Sequence, residues 1–78
     1  MSFRNPLRIR NGGTTALTVI VEPWANEYEL APDADCEVVA IHPDQQPTLT
    51  VEHLERAIIV SVDGGSLYEF WRNGAQVD

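Results

Sequence analysis

Three side chains in this sequence have the right type for metal or nucleophilic chemistry: Cys36, His42 and His53. A blue-copper centre takes two histidines, a cysteine and usually a weak axial methionine. The chain order here is Cys-His-His and the sole methionine is Met1, so that pattern is not met. The other common metal signature of small β folds, a H-x-H pair with a following glutamate, is absent as well. Each histidine stands next to an expected turn, where histidines are usually surface residues. A cysteine nucleophile must be held as the thiolate by a neighbouring base or cation. Cys36 instead lies in Asp33-Ala34-Asp35-Cys36-Glu37, where the carboxylates raise its pKa. Its apolar phase marks it as a small core side chain. Glu27 and Glu29 share one strand face on either side of Tyr28, while Glu22, Glu52, Glu55 and Glu69 are scattered. Acid–base work needs a cleft that drives two carboxyl pKa values apart; a solvated face accounts for these acids. No catalytic residue, metal site or cofactor is expected.

The most distinctive string is Glu22-Pro23-Trp24-Ala25-Asn26-Glu27-Tyr28-Glu29-Leu30-Ala31-Pro32. A strand ends at Glu22, and Pro23 breaks the ladder and sets the direction of exit. Trp24 then falls in a turn. Tryptophan, tyrosine and arginine dominate binding hot spots, so Glu22, Trp24, Tyr28, Trp71 and Arg72 are the candidate ligand- or partner-binding residues. Stacking of Trp24, Tyr28 and Trp71 on a sugar is the sharpest form of that reading. The structural alternative is Trp24 folded back to cap one end of the core.

Turn signals recur about every ten residues, a spacing typical of β-sandwiches and barrels. They fall at Asn11-Gly12-Gly13, Glu22-Pro23, Ala31-Pro32-Asp33, His42-Pro43-Asp44, Asp63-Gly64-Gly65 and Asn73-Gly74. The glycine pairs at 12–13 and 64–65 read as hairpin turns. Between the signals the chain alternates apolar and polar side chains with period two. Strands are expected at 7–10, 15–22, 27–30, 36–41, 48–52, 57–62 and 66–72, with a short eighth at 76–77. Leu17, Val19 and Val21 share one face; Cys36, Val38 and Ala40 share another; Tyr68, Phe70 and Arg72 lie opposite Leu67, Glu69 and Trp71. Residues 53–56 carry helix-favouring types but run into the β-branched Ile58-Ile59-Val60, so they read as a connection. The fold class expected is all-β: a single domain over 1–78, a small antiparallel sandwich or flattened barrel with jelly-roll or Greek-key character.

At 78 residues and 8.7 kDa the core is thin, because a chain of this size hides only about 60% of its unfolded surface. Apolar residues at 44% nonetheless argue for a folded chain. The net charge of −7 is uneven: residues 1–10 carry Arg4, Arg8 and Arg10 and no acid, whereas residues 11–78 hold two arginines against all twelve acids. That balance disfavours nucleic acid as a partner. No apolar run suits a membrane helix, and the N-terminus lacks the apolar stretch of a secretory signal. One cysteine excludes an intrachain disulfide, and a cytoplasmic location is the default expectation. The total absence of lysine, whose codons are A-rich, suggests a GC-rich bacterial source.

The early Asn11, the apolar strand ending in Glu22-Pro23-Trp24, the Tyr28-x-Leu30-x-Pro32 segment and a closing Trp71-Arg72-Asn73-Gly74 resemble small, acidic bacterial all-β proteins. The resemblance spans Asn11 to Gly74. It implies the fold and carries no established activity or catalytic residue. Segments 16–21 and 57–62 are apolar on both faces, and Ile20, Val39, Ile41 and Ile59 would form a second apolar face. A barrel closing on itself or a homodimer would cover it. The functional expectation is a non-enzymatic protein-binding or self-associating domain. The alternatives are a small-ligand or carbohydrate-binding domain using the aromatic residues, and a metal-binding protein of cupin or cupredoxin type.

Overall fold

Short alternating segments cut by turn residues become eight strands in the computed structural model, which describes residues 2–78. They are β1 (Phe3–Arg10), β2 (Leu17–Glu22), β3 (Asn26–Leu30), β4 (Asp35–His42), β5 (Leu49–His53), β6 (Ala57–Val62), β7 (Leu67–Arg72) and β8 (Ala75–Gln76). No helix occurs among the described residues, so none is long and apolar enough to cross a membrane. The strands form two four-stranded sheets, a first ordered β1-β4-β7-β8 and a second ordered β3-β2-β6-β5. The molecule is a small all-β sandwich. All neighbouring strands are antiparallel except the central pair β2–β6.

The expected phases hold. Val19, Val21, Leu30, Cys36, Val38, Ala40, Val60 and Phe70 point into one core between the sheets. Full burial of each such aliphatic side chain stabilises by about 1.5–3 kcal/mol before chain entropy is subtracted. β1 starts four residues earlier than its alternating pattern suggests, because Pro6 is accommodated inside it. β1 is an edge strand, where a missing N–H can face outward without breaking a ladder. Residues 54–56 form the β5–β6 turn, closed by the Leu54 amide donating to the Ala57 carbonyl at 2.8 Å, while His53 ends β5 in register with Ile58 and is not part of the connection.

Three connections are hairpins: β2–β3, β5–β6 and β7–β8. Asn73 and Gly74 both have positive φ, 54° and 76°, the conformation of a two-residue turn whose twist suits a hairpin. The β2–β3 turn holds a cis Glu22–Pro23 peptide and Ala25 at φ 61°. The glycine pairs are not in hairpins. Gly12-Gly13 and Gly64-Gly65 lie on loops that pass from one sheet to the other. Glycine marks a change of direction, and it does not specify which sheet receives the next strand.

Two polar side chains pin these crossing loops. Asn11, only 5% exposed, donates from Nδ2 to the carbonyls of Thr15 (2.8 Å) and Leu30 (2.9 Å). Its Oδ1 accepts from the Gly13 amide at 3.0 Å. At the other end Asp63 accepts from the Ser66 hydroxyl (2.7 Å) and from the amide and hydroxyl of Thr48 (3.2 and 3.1 Å). These bonds, the Ser66 hydroxyl first, hold the Asp63 carboxyl below its ordinary pKa.

Candidate functional site

Alternation along β3 and β7 turns Tyr28, Tyr68 and Phe70 inward, and the β2–β3 turn brings Trp24 against them. The Tyr28 ring stacks on Phe70 with centroids 3.7 Å apart and planes 6° from parallel. Trp24 lies against Tyr68 at 4.8 Å, tilted by 47°. The polar atoms form a directed chain. Asn26 Nδ2 donates to the Tyr68 hydroxyl, and Tyr28 donates to Asp78 Oδ2, each at 2.6 Å. The bond between the two hydroxyls, also 2.6 Å, must then run from Tyr68 to Tyr28, since each hydroxyl has one proton. Burial, and after it the bonds to Asp78 and Tyr68, push the Tyr28 phenol well above its ordinary pKa. Arg72 completes the edge. Its guanidinium lies 5.6 Å from the Phe70 ring centre, and its Nη2 donates to the Glu29 carbonyl at 3.0 Å.

Of the five candidate binding residues, Trp24, Tyr28 and Arg72 therefore meet at this edge. The other two lie elsewhere. Glu22 ends β2 on the outer face of the second sheet, in register with Ser61. Trp71 is on the outer face of the first sheet, because β7 alternates and Phe70 and Arg72 take the inner positions. Ile20 and Ile59 sit in register on the second sheet, while Val39 and Ile41 are on the first. Ile20, Val39, Ile41 and Ile59 thus divide between opposite sides of the sandwich and make no single apolar face.

The first sheet's outer face is the more apolar of the two. Its rows in register are Arg4–Ile41–Leu67, Pro6–Val39–Glu69 and Arg8–Glu37–Trp71. Arg4 on β1 and Glu69 on β7 meet at 2.6 Å, so their pair spans the intervening β4 and covers Val39. Trp71 Nε1 donates to the same Glu69 carboxylate at 3.0 Å. Those two bonds lower the Glu69 pKa, that from Arg4 contributing most. Leu67 stands beside this network 68% exposed.

Cys36 is buried in the core. Desolvation pushes its thiol up to about 11, Asp35 adds to the shift and Arg72 opposes it. It is a packing residue with no thiolate at neutral pH. His42 Nδ1 accepts from the amides of Asp44 (3.0 Å) and Gln45 (3.2 Å), which orders the turn after β4. His42 pairs with Phe3 at the start of β1, whereas His53 shares a cleft with Arg10 at its end. The length of β1 separates the two histidines. Among the described residues no three His, Cys, Asp or Glu side chains are placed to hold a metal.

That cleft was not read from the sequence. It measures about 280 Å³, and Arg10, Gly12, Gly13, His53, Glu55 and Arg56 are among its lining residues. The segments Arg10-Asn11-Gly12-Gly13 and His53-Leu54-Glu55-Arg56 are over forty positions apart, and only the packing of the sheets brings them together. The usable signal was that three of the five arginines crowd into residues 1–10. Comparison with protein-family models, with curated proteins and with solved structures gives no match.

Proposed function

We propose that this domain is a non-enzymatic binding module that pairs with a second copy of itself through the outer face of the first sheet. The observation that carries the reading is Leu67, 68% exposed in a sheet whose outward side also presents Ile41 and Trp71. A large aliphatic side chain held on a flat sheet costs free energy in water and recovers about 1–2 kcal/mol when covered. A thin-cored domain gains from added burial of this kind. A closed two-fold presents the same patch on both partners, so Leu67 and Trp71 of each copy would meet. The face is about 25 Å along β4 and about 19 Å across four strands, the scale of a small interface rather than an obligate one. Pairing is therefore weak and concentration-dependent.

The small-ligand reading through Trp24 and Tyr28 has less support. One face of Tyr28 is taken by Phe70 and its hydroxyl by Tyr68 and Asp78. Sedimentation or light scattering across a concentration series tests the proposal. The mass should rise from 8.7 kDa toward twice that value at high micromolar concentration. Leu67→Glu should hold it at the monomer value with little change in melting temperature. A wild-type chain that stays monomeric at millimolar concentration overturns the reading.

A further inference from the structure

We propose that the cleft between the β1–β2 loop and the β5–β6 turn binds a small oxyanion, a carboxylate or a phosphate. Two of the chain's five arginines, Arg10 and Arg56, line it together with His53. In a chain of net charge −7 with only five cationic side chains, this gathers two of them in one place. Arg56 makes no side-chain hydrogen bond or ion pair among the described residues. Arg10 has only Asp33, at 3.3 Å, with both side chains mostly exposed. Exposed pairs of that kind hold weakly and yield to a better ligand. A cleft of this volume is roughly 8 Å across, within one Debye length at physiological salt, so both charges act on one occupant.

The loop leaves room for that occupant. The backbone of Gly12 has no positive φ, and a side chain there would meet nothing closer than Arg10 Nη1 at 4.0 Å. The Gly12 amide donates to no acceptor among the described residues, whereas the Gly13 amide is engaged by Asn11. An oxyanion beside Gly12 would have that backbone N–H and the nearby Arg10 guanidinium within reach, and Arg56 lines the same cleft; guanidiniums suit carboxylate and phosphate. Glu55 is the one acid in the lining and Asp33 pairs with Arg10, so an incoming anion must compete with Asp33 for Arg10 and tolerate Glu55.

Titration of ¹⁵N-labelled protein with inorganic phosphate, and separately with succinate, at constant ionic strength tests this. Saturable shifts are expected at the amides of Gly12, Gly13 and Arg56, with midpoints in the millimolar range or tighter. Arg10→Gln and Arg56→Gln should each weaken binding about tenfold, and Glu55→Gln should strengthen it. Both arginines are exposed and outside the core, so these variants should keep the wild-type spectrum elsewhere. Saturation by one anion alone assigns the headgroup chemistry. Shifts that stay linear with both anions, or saturation unchanged by the arginine substitutions, would overturn the proposal.

Discussion

Replacing Asn11 with aspartate should be among the most damaging single-atom changes available to this chain. The substitution keeps the shape and converts Nδ2, a double donor, into an acceptor oxygen. That oxygen would face the Thr15 and Leu30 carbonyls across the present 2.8 and 2.9 Å. Two hydrogen bonds worth about 0.5–1.5 kcal/mol each are lost, and a buried carbonyl left without a donor costs a further 1–3 kcal/mol or so. A buried carboxylate with no cation adds to this. The total is about 3–5 kcal/mol, against about 4–12 kcal/mol for the whole stability of a domain this size. Asn11→Ala, which removes the side chain without adding repulsion, should cost about 2–3 kcal/mol. Urea titration followed by Trp24 and Trp71 fluorescence would measure both. The pH response is diagnostic. The introduced carboxyl would have its pKa raised by burial, so its unfolded form ionises first as pH rises. The Asn11→Asp variant should therefore gain stability relative to wild type as pH falls from 7 toward 5. An aspartate variant within about 0.5 kcal/mol of wild type at pH 7 would refute the reasoning, because Asn11 would then not be tying β1, β3 and the crossing loop together.

Gly74→Ala should destabilise by about 1–2 kcal/mol, since φ is 76° there and a Cβ is disfavoured in that region; thermal melts would show it. The Cys36 thiol should titrate near 11, read from thiolate absorbance, and should react slowly with disulfide reagents at pH 8. Its folded pKa lies above the unfolded value, so that contribution is intact below about 9. It is lost as pH rises toward 11, by about 3 kcal/mol at most, and Cys36→Ala should remove that alkaline slope. Tyr28→Phe keeps the stack on Phe70 but breaks the hydroxyl chain to Asp78, and should cost about 1 kcal/mol while raising amide exchange at Val77 and Asp78. Asp63 has a lowered pKa, so its loop contacts contribute above the ordinary carboxyl range and are lost as pH falls through it. Asp63→Asn should flatten the acid side of the stability curve.

Period-two patterning was enough to read the all-β class, nearly every strand and the inward side chains, because whether a side chain faces the core follows from its position along its own strand. Cys36 as a core residue, and Phe70 facing away from Trp71, follow from that local rule. Which strands become neighbours was not legible. The Gly12-Gly13 and Gly64-Gly65 loops look like hairpin turns and instead cross between sheets, since a turn residue sets local φ and not the strand's destination. That choice sends Ile20 and Ile59 to one side of the sandwich and Val39 and Ile41 to the other. The arginine cleft depends on it entirely, because Arg10 and Arg56 line one cleft only once β1 and β5 lie in facing sheets. The sequence alone determined which face of each ribbon is oily, a property of neighbours two residues apart. Only the tertiary structure decided which ribbons share a sheet, because that is a competition among long-range pairings of similar local energy.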